Sequence, residues 1–475
     1  MTLWFPILLP ALTAPVILFA GRRSSLAARV LLLLAALLHA ACVIALYRLD
    51  GPVDSGYLGV DSLGLWVVSI TSVLFLCVSV HAFFWLPMAR RFEGGGDGRS
   101  LMRENLFCAI LPCFLSTMTL VALSRNFGLL WVAVEATTLA SAPLICFHRS
   151  AGSLEAMWKY LLICSVGIGL ALFGTLMLGV AIRPPEGVAP GLGFAVLGSG
   201  FNTVNPAWFK AAFIFCFAGY GLKMGLAPFH TWLPDAHSEA PSMVSVLLSG
   251  ALLNCSFLGI VRVLGVAPAE LRGFCNGYLV TFGVLSLAVA ALFIIRQGDY
   301  KRMLAYSSVE HMGLLAIFFG LGEEVIGLVH MGVHSLTKMM LFLIAGNILM
   351  ACGTRRVEKI SGLFERMPRT AWLWVAGLFL ICGTPPSPLF VTELLLVRRA
   401  GWWLGGAILI LLFAVFCGMS VIVFRMVGGR AAPESGESRE AAYAAEKLAW
   451  LPGMLAVLLL VWGGWFTWIF MENFQ

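Results

Sequence analysis

Charged residues are scarce in this chain of 475 residues, and their scarcity excludes most classes of water-soluble protein. Asp, Glu, Lys and Arg together make up 12% of the sequence, hydrophobic residues make up 60%, and the mean hydropathy is +0.93. A soluble globular domain carries about 25% charged residues. The composition therefore predicts an integral membrane protein and leaves little sequence for a soluble domain.

The sequence also lacks the cysteine spacings that hold metal clusters or disulfide frameworks. Its 12 cysteines are scattered without any CxxC pair, and most lie inside apolar runs, as Cys77, Cys164 and Cys216 do. Buried, unreactive thiols are favoured over iron–sulfur ligands or disulfides. We therefore expect no redox centre, no cofactor and no metal site in this chain.

Apolar runs of about 20 residues, the length that a helix needs to cross a bilayer, recur along the whole sequence. We predict an all-α integral membrane protein with about fourteen transmembrane helices. They begin near Leu3, Val30, Ser62, Leu101, Asn126, Met157, Trp208, Ala240, Tyr278, Met303, Val325, Ala371, Trp402 and Leu448.

Basic residues are distributed unevenly between alternate loops of this arrangement. Loops after odd-numbered spans hold 21 of the 31 Lys and Arg residues, whereas the other loops hold eight. Because positively charged loops stay in the cytoplasm, we expect both termini on the outer, periplasmic side of a prokaryotic inner membrane.

Span seven carries the strongest functional signal in the sequence. Lys223 lies about 15 residues into an apolar run, near the middle of the bilayer, and Pro228 removes a backbone donor five residues later. Span twelve repeats the pattern, because three prolines interrupt it ahead of Glu393: Pro385, Pro386 and Pro388. Broken helices that carry an ionisable group are typical of ion pathways in membranes.

Interruptions at matching places predict two five-helix repeats, helices 4–8 and 9–13, in which helices 7 and 12 are broken. An odd number of spans in each repeat makes the two repeats inverted. The predicted organisation is helices 1–3 in residues 1–100, the first repeat in 101–265, the second in 266–427, and a cytoplasmic loop with helix 14 in 428–475.

Other ionisable residues lie where lipid alone would not tolerate them. Glu135 in span five must face a partner cation or a wet cavity, and a protonated glutamate that only joins helices is the alternative. In span eleven His330, His334 and Lys338 recur at i, i+4 and i+8, so they form one stripe. We interpret the stripe as a proton relay rather than as structural histidines.

Polar residues in spans eight and ten extend this set. Glu310 and His311 belong either to a hydrated channel or to a local hydrogen-bonded anchor. Asn254 can hold water but cannot carry charge.

The segment after Lys223 contains two further histidines, His230 and His237, which are possible channel or entry groups. Asp235, His237 and Glu239 have the side chains of a metal cluster, but their grouping between prolines favours a cytoplasmic-side connection.

Three stretches carry a resemblance to a known family: KMGLAPFHTWLPDAHSEAP, YKRMLAYSSVEHMG and HSLTKMMLFLIAGN. They resemble the antiporter-like subunits shared by respiratory complex I, Mrp sodium/proton antiporters and membrane-bound group 4 nickel–iron hydrogenases. Within these, the resemblance is greatest to the hydrogenase-4 component F branch of formate-hydrogenlyase-type complexes. It extends from about Leu101 to Glu393.

The resemblance implies fourteen helices and a polar axis inside the membrane. It makes Glu135 the acid of the fifth helix, Lys223 the lysine of the broken helix, His334 and Lys338 the relay, and Glu393 the terminal group. We expect Glu135 and Lys223 to form an ion pair at about 4 Å, worth about 4 kcal/mol, whose separation sends a proton toward the relay.

One residue departs from the complex I pattern. Asn254 stands where those subunits have a lysine, which moves that step of the relay to water or to His330 and His334.

The function implied is that of a proton-translocating subunit of a multisubunit redox complex, either a group 4 hydrogenase or a complex I-like NADH–quinone oxidoreductase. The implied partners are antiporter-like and ion-channel-like membrane subunits and a peripheral hydrogenase or complex I-like arm, without nucleic acid. An Mrp-type sodium/proton antiporter subunit and a non-pumping scaffold are the alternatives.

Overall fold

The computed structural model describes residues 2–49, 53–92, 98–182, 191–199, 204–430 and 436–472, and it is built almost entirely from helices. Before Lys223 the helices are α1 (Phe5–Gly21), α2 (Ser25–Leu46), α3 (Ser62–Phe92), α4 (Gly98–Leu123), α5 (Phe127–Ile145), α6 (Ala151–Ala181) and α7 (Phe194–Ser199). Between α2 and α3 lies a short antiparallel hairpin of β1 (Val53–Asp54) and β2 (Gly59–Val60).

The central helices are α8 (Pro206–Met224), α9 (Trp232–Glu239), α10 (Ser242–Leu247), α11 (Leu253–Gly265), α12 (Ala269–Ile294), α13 (Tyr300–Gly320) and α14 (Glu324–Cys352). A π-helical turn, Leu248–Leu252, joins α10 to α11. The last helices are α15 (Leu363–Arg366), α16 (Pro368–Ile381), α17 (Pro388–Val427), α18 (Gly436–Lys447) and α19 (Trp450–Glu472).

The chain is a multi-pass membrane protein, and the predicted all-α class is confirmed. Among the described residues, ten helical segments are long and apolar enough to cross a membrane, or eleven if α18 and α19, which are bent by 43°, form one span. The count of fourteen and the inverted repeats stay predictions.

The predicted interruption in span seven lies between α8 and α9. Helix α8 ends because Gly225 has φ of 83°, a left-handed conformation that residues with a Cβ rarely adopt. The Leu222 carbonyl, which the break leaves without a helical partner, accepts hydrogen bonds from the Gly225 N–H and from Trp232 Nε1 at 2.9 Å. The backbone is therefore satisfied at the break without a continuous helix.

The predicted interruption in span twelve lies between α16 and α17. Ser387 holds its two sides together, because its Oγ donates to the Leu380 carbonyl at 2.7 Å and accepts from the Leu389 N–H at 3.2 Å. Farther along α17, Gly401 has non-helical dihedral angles and marks a kink.

The chain forms two compact units. Unit 1 consists of Met1–Val80, Asp97–Trp232 and Ala251–Tyr278, and unit 2 of His81–Gly96, Leu233–Gly250 and Leu279–Gln475. In unit 1, α8 packs lengthwise on α6. In unit 2, α13 is buried along nearly its whole length and packs against α14, which carries the histidine stripe. The predicted four-part division of the chain stays a prediction.

Candidate functional site

Lys223 is completely buried in the last turn of α8, immediately before the break. Its ammonium donates hydrogen bonds to the hydroxyl of Thr138 at 2.8 Å and to the hydroxyl of Tyr160 at 2.7 Å. The two acceptors come from α5 and α6, so three helices meet at this nitrogen. Burying an ammonium is costly unless hydrogen bonds replace its water, and these hydroxyls do so.

A chain of hydrogen bonds connects Lys223 with the outer face of unit 1. Thr138 accepts from Lys223 and donates to Glu135 Oε2 at 3.3 Å, while the exposed Ser165 donates to Glu135 Oε1 at 2.8 Å. Glu135 and Thr138 are three residues apart on α5 and share one face of that helix. The donors between Lys223 and Glu135 point in one direction, from the buried ammonium toward the half-buried carboxylate.

The direct ion pair that we expected between Glu135 and Lys223 is replaced by a bridged one. The hydroxyl of Thr138 lies between the two charges and is bonded to both. A hydroxyl in this position can pass a proton, because it can accept one from the lysine while it donates its own to the carboxylate. The bridge therefore joins the two predicted residues chemically while it weakens their direct attraction.

The second group of polar residues lies in unit 2, where three helices bring together His311 of α13, His330 of α14 and Glu393 of α17. His311 Nδ1 and His330 Nε2 are 3.1 Å apart, and one nitrogen of each ring and a carboxylate oxygen of Glu393 all lie within 4.8 Å of one another. All three side chains are buried. We call these three residues the histidine cluster.

The hydrogen-bond partners of the histidine cluster restrict where its protons can be. His311 Nε2 is 3.1 Å from the carbonyl oxygen of Ile381, which can only accept, so this nitrogen carries a hydrogen. His330 Nδ1 is 2.9 Å from the hydroxyl of Thr392, which also lies 2.9 Å from the carbonyl of Leu389.

Two proton arrangements satisfy these contacts. When Thr392 donates to Leu389, His330 donates through Nδ1, and the hydrogen between the two rings must belong to His311, which is then an imidazolium. When Thr392 donates to His330 instead, the hydrogen between the rings belongs to His330 and both imidazoles are neutral. The histidine cluster can therefore gain or lose one proton by rotation of a single hydroxyl.

Glu393 reaches the cluster because of a glycine in the interruption between α16 and α17. Gly383 has φ of 57°, and a Cβ at this position would lie 2.1 Å from Glu393 Oε2. Glu393 Oε1 is buried without a hydrogen-bond partner among the described residues. A buried carboxylate oxygen in this condition is a vacant acceptor for a proton or a cation.

The rest of the predicted stripe continues along α14. His334 stacks near His311, with ring centroids 4.8 Å apart, and neither of its ring nitrogens has a partner in the described part of the chain. Lys338 is fully buried and donates to the Leu304 carbonyl at 2.6 Å and to the hydroxyl of Ser307. Glu310 is also buried. The stripe is thus one continuous face of α14 inside unit 2.

The remaining predicted residues lie elsewhere. Asn254 is buried in α11, and His230 lies in the connection between α8 and α9. Their predicted roles stay predictions.

The grouping around His237 does not converge on one point. Asp235 pairs with Arg302 at 3.0 Å, Glu239 pairs with Arg355 at 2.8 Å, and the His237 ring stacks on Phe342 with centroids 4.9 Å apart. The two acids are thus engaged by separate arginines.

The sequence interpretation missed the uncharged members of both groups. Thr138 and Thr392 orient the ionisable residues, and Tyr160 and Ser165 lie at the two ends of the unit 1 chain. The signal for the threonines was available, because Thr138 follows Glu135 by three helical positions and Thr392 precedes Glu393. No local pattern pointed to Tyr160, which meets Lys223 only through the packing of α6 on α8.

Comparisons with known proteins agree on the kind of chain. Residues 124–422, more than half of the sequence, match the family described as NADH:quinone oxidoreductase/Mrp antiporter, transmembrane. The hydrogenase-4 component F homolog of Methylacidiphilum infernorum is 36% identical over 361 residues, which cover 75% of this chain and 74% of the relative. Hydrogenase-4 component B of Escherichia coli is 29% identical over 412 residues, 81% of this chain and 58% of that relative.

A solved structure has the same fold. In the membrane-bound sulfane sulfur reductase, an archaeal respiratory membrane complex, one chain superimposes with a TM-score of 0.81. The match covers 98% of this chain and 94% of that chain at 22% identity. At this level of identity the likeness concerns the fold alone.

Proposed function

This chain belongs to the NADH:quinone oxidoreductase/Mrp antiporter transmembrane family, and from that premise we propose that it is a proton-translocating membrane subunit of a multisubunit redox complex. The relatives named as hydrogenase-4 components favour a complex of the hydrogenase-4 type, with a complex I-like NADH–quinone oxidoreductase as the related form. The family description alone covers both redox complexes and antiporters, so the choice rests on the residues.

The single observation that carries the proposal is the hydrogen-bonded chain from Lys223 to Glu135. A lysine buried in a membrane helix is costly, and here it lies at a helix break, is held by two hydroxyls and is linked to a carboxylate near the surface of unit 1. A residue that served only to join helices would not need a path of exchangeable hydrogens to that surface.

In the proposed cycle each unit holds one exchangeable proton. In unit 1 it moves between Lys223 and Glu135 through Thr138. In unit 2 it moves through the histidine stripe and leaves by Glu393, with His334 and Lys338 as the relay that we infer receives it. Glu310, His311, His330 and Asn254 accompany this route, and His230 and His237 are the proposed entry groups.

The proposal extends to partners and location. We assign as partners the other membrane subunits of the complex, antiporter-like and ion-channel-like, and a peripheral hydrogenase or complex I-like arm. The chain would lie in a prokaryotic inner membrane with both termini on the outer side, as the distribution of basic residues predicts.

Sodium/proton antiport is the second candidate, and one observation favours it. Glu135 is half-buried and surrounded by hydroxyl oxygens of Thr138 and Ser165, which are ligands that a hard cation such as sodium accepts. The family description also names the Mrp antiporters.

The test is to tag the full chain, isolate it with its partners in mild detergent, and reconstitute the complex into vesicles that contain a pH-sensitive dye. We expect a nickel–iron hydrogenase large subunit or a complex I-like arm among the partners, and redox-driven proton movement that does not require sodium. Glu135→Gln should abolish that movement while electron transfer continues. Proton movement that requires sodium would establish antiport, and electron transfer without any proton movement would leave only a scaffold.

A further inference from the structure

The histidine cluster has a chemistry that proton transfer does not exhaust. We infer that His311, His330 and Glu393 form a binding site for a divalent transition-metal cation, with Zn²⁺ as the best fit, and that an ion bound there blocks the relay. The site stands on geometry, whereas the block rests on the proposed function.

The two imidazoles are spaced as ligands of one ion. Bonds of about 2.0–2.1 Å in a tetrahedral arrangement place two ligand nitrogens roughly 3.3 Å apart. His311 Nδ1 and His330 Nε2 are 3.1 Å apart, and with a Glu393 oxygen they form a set within 4.8 Å. A small closure of this set is enough for all three to reach one ion.

Both imidazoles are oriented from behind, as metal-binding histidines are. A ligating histidine almost always donates its other ring N–H to a carbonyl, a carboxylate or water, which fixes the tautomer and directs the lone pair to the metal. His311 donates through Nε2 to the Ile381 carbonyl at 3.1 Å, and His330 has the Thr392 hydroxyl 2.9 Å from Nδ1. The two nitrogens that face each other are those left for the ion.

The third ligand supplies charge and is vacant. Glu393 Oε1 is buried without a hydrogen-bond partner among the described residues, and Glu393 is 7% exposed. Two imidazoles and one carboxylate are the protein ligands of many zinc sites that keep a fourth position open for water. The nitrogen ligands disfavour sodium and magnesium, which prefer oxygen.

Binding and proton transfer compete for the same atoms. The ion takes the place of the hydrogen between His311 Nδ1 and His330 Nε2, and that proton is released to solvent. With both lone pairs bound to the ion, neither arrangement of the shared hydrogen can form, so the histidine cluster can no longer accept a proton.

The experiment measures zinc retained by the purified full chain in detergent after removal of free metal, together with the zinc X-ray absorption spectrum. We expect one zinc per chain, with imidazole and oxygen ligands, and its loss in His330→Ala and Glu393→Gln. His148→Gln is the matched control, because this half-buried histidine follows α5 in unit 1 and should bind no ion. It should retain the zinc of the parent chain.

A positioning variant keeps the inference testable if the ligand variants fail to fold. Thr392→Val removes the partner of His330 Nδ1 but no ligand, so zinc affinity should fall by about 10–100-fold, and Thr392→Ser should restore it. Absence of stoichiometric zinc, or equal zinc in the parent chain and in folded His330→Ala, would overturn the site. If zinc binds with these ligands and proton movement continues in the reconstituted complex, the site is established and the proposed proton route through the histidine cluster is wrong.

Discussion

The two units of this protein hold their buried ionisable residues in different ways. In unit 1, Lys223 gives its hydrogens to two hydroxyls, and the carboxylate that balances it is reached through a third atom group, the hydroxyl of Thr138. In unit 2, two imidazoles contact each other directly and their carboxylate has an oxygen without a partner in the described residues. The first arrangement fixes the place of a charge, whereas the second lets a proton occupy either of two places.

The comparison teaches that a helix break can serve both arrangements. Each break removes helical hydrogen bonds and replaces them by side-chain contacts, from Trp232 in one unit and from Ser387 in the other. In unit 1 the break follows the ionisable residue, and in unit 2 it precedes Glu393. The interruption therefore positions an ionisable residue in both cases, but the neighbouring residues decide whether its proton is held or shared.

The largest effect is expected from His311→Gln in unit 2. Glutamine can still donate to the Ile381 carbonyl but cannot take up a proton, so proton transfer should fall by about 10²-fold or more. The measurement is redox-driven proton uptake by the reconstituted complex. His39→Gln is the control, because His39 is also a buried histidine bonded at both ring nitrogens, to Ser72 and Thr119, and lies outside both groups. A similar loss in both variants would show a general effect of buried histidines.

A smaller effect is expected from Thr138→Val in unit 1. Valine has nearly the same shape but cannot bridge Lys223 and Glu135, and a hydrogen bond to a charged group is worth about 1.5–3 kcal/mol. We expect proton uptake to fall by about tenfold or more, since each 1.4 kcal/mol is about a factor of ten. Thr138→Ser, which keeps the hydroxyl, should restore most of the rate. Equal rates for valine and serine would mean that the bridge has no part in transfer.

Glycine substitutions sharpen the comparison at the second break. Gly383→Ala and Gly401→Ala both place a Cβ at a positive φ, which costs about 1–2 kcal/mol in each case. Only the first places that Cβ 2.1 Å from Glu393 Oε2, whereas nothing lies within 4 Å of the second. We expect both to lower the unfolding temperature and only Gly383→Ala to slow proton uptake further. Equal rates in the two variants would argue against a precise position for Glu393.

The smallest effect concerns Asp61, a fully paired carboxylate outside both groups. It accepts both Nη atoms of Arg262 and lies 3.3 Å from Arg125 Nη1. Burial raises the pKa of Asp61, but the hydrogen bonds and charge of Arg262, together with Gly64 and Arg125, outweigh burial and hold the pKa below its ordinary value.

The sign of the pH effect follows from that direction. A lowered folded-state pKa stabilises the fold above the ordinary aspartate pKa of about 4, and this contribution is lost as the pH falls through the folded value. Asp61→Asn should therefore lower the unfolding temperature of the purified chain at pH 7 and have less effect at pH 3. An equal decrease at both values would contradict an electrostatic origin.

The sequence was sufficient for much of this account, and the reason is physical. An ionisable residue in an apolar run is conspicuous, so Lys223, Glu135 and the stripe of His330, His334 and Lys338 were found without a structure. Prolines at the two interruptions predicted the breaks for the same reason, since they remove backbone donors.

What could not be predicted depends on contacts between distant parts of the chain. Thr138 and Lys223 are 85 residues apart, and the expected direct ion pair was wrong because no pattern in the sequence shows that a hydroxyl lies between the charges. Similarly, the cluster of His311, His330 and Glu393 requires three helices to meet. The positive φ of Gly383 depends on the path of the backbone at the break.

Redox-driven proton uptake by the reconstituted complex, compared between Lys223→Met and Lys210→Met at equal rates of electron transfer, tests the central claim most directly. Both lysines are on α8, but Lys210 is exposed and lies over the ring of Phe274, whereas Lys223 is buried at the break. The account predicts that Lys223→Met abolishes proton uptake and that Lys210→Met leaves it unchanged. Full proton uptake by an assembled Lys223→Met complex would contradict it.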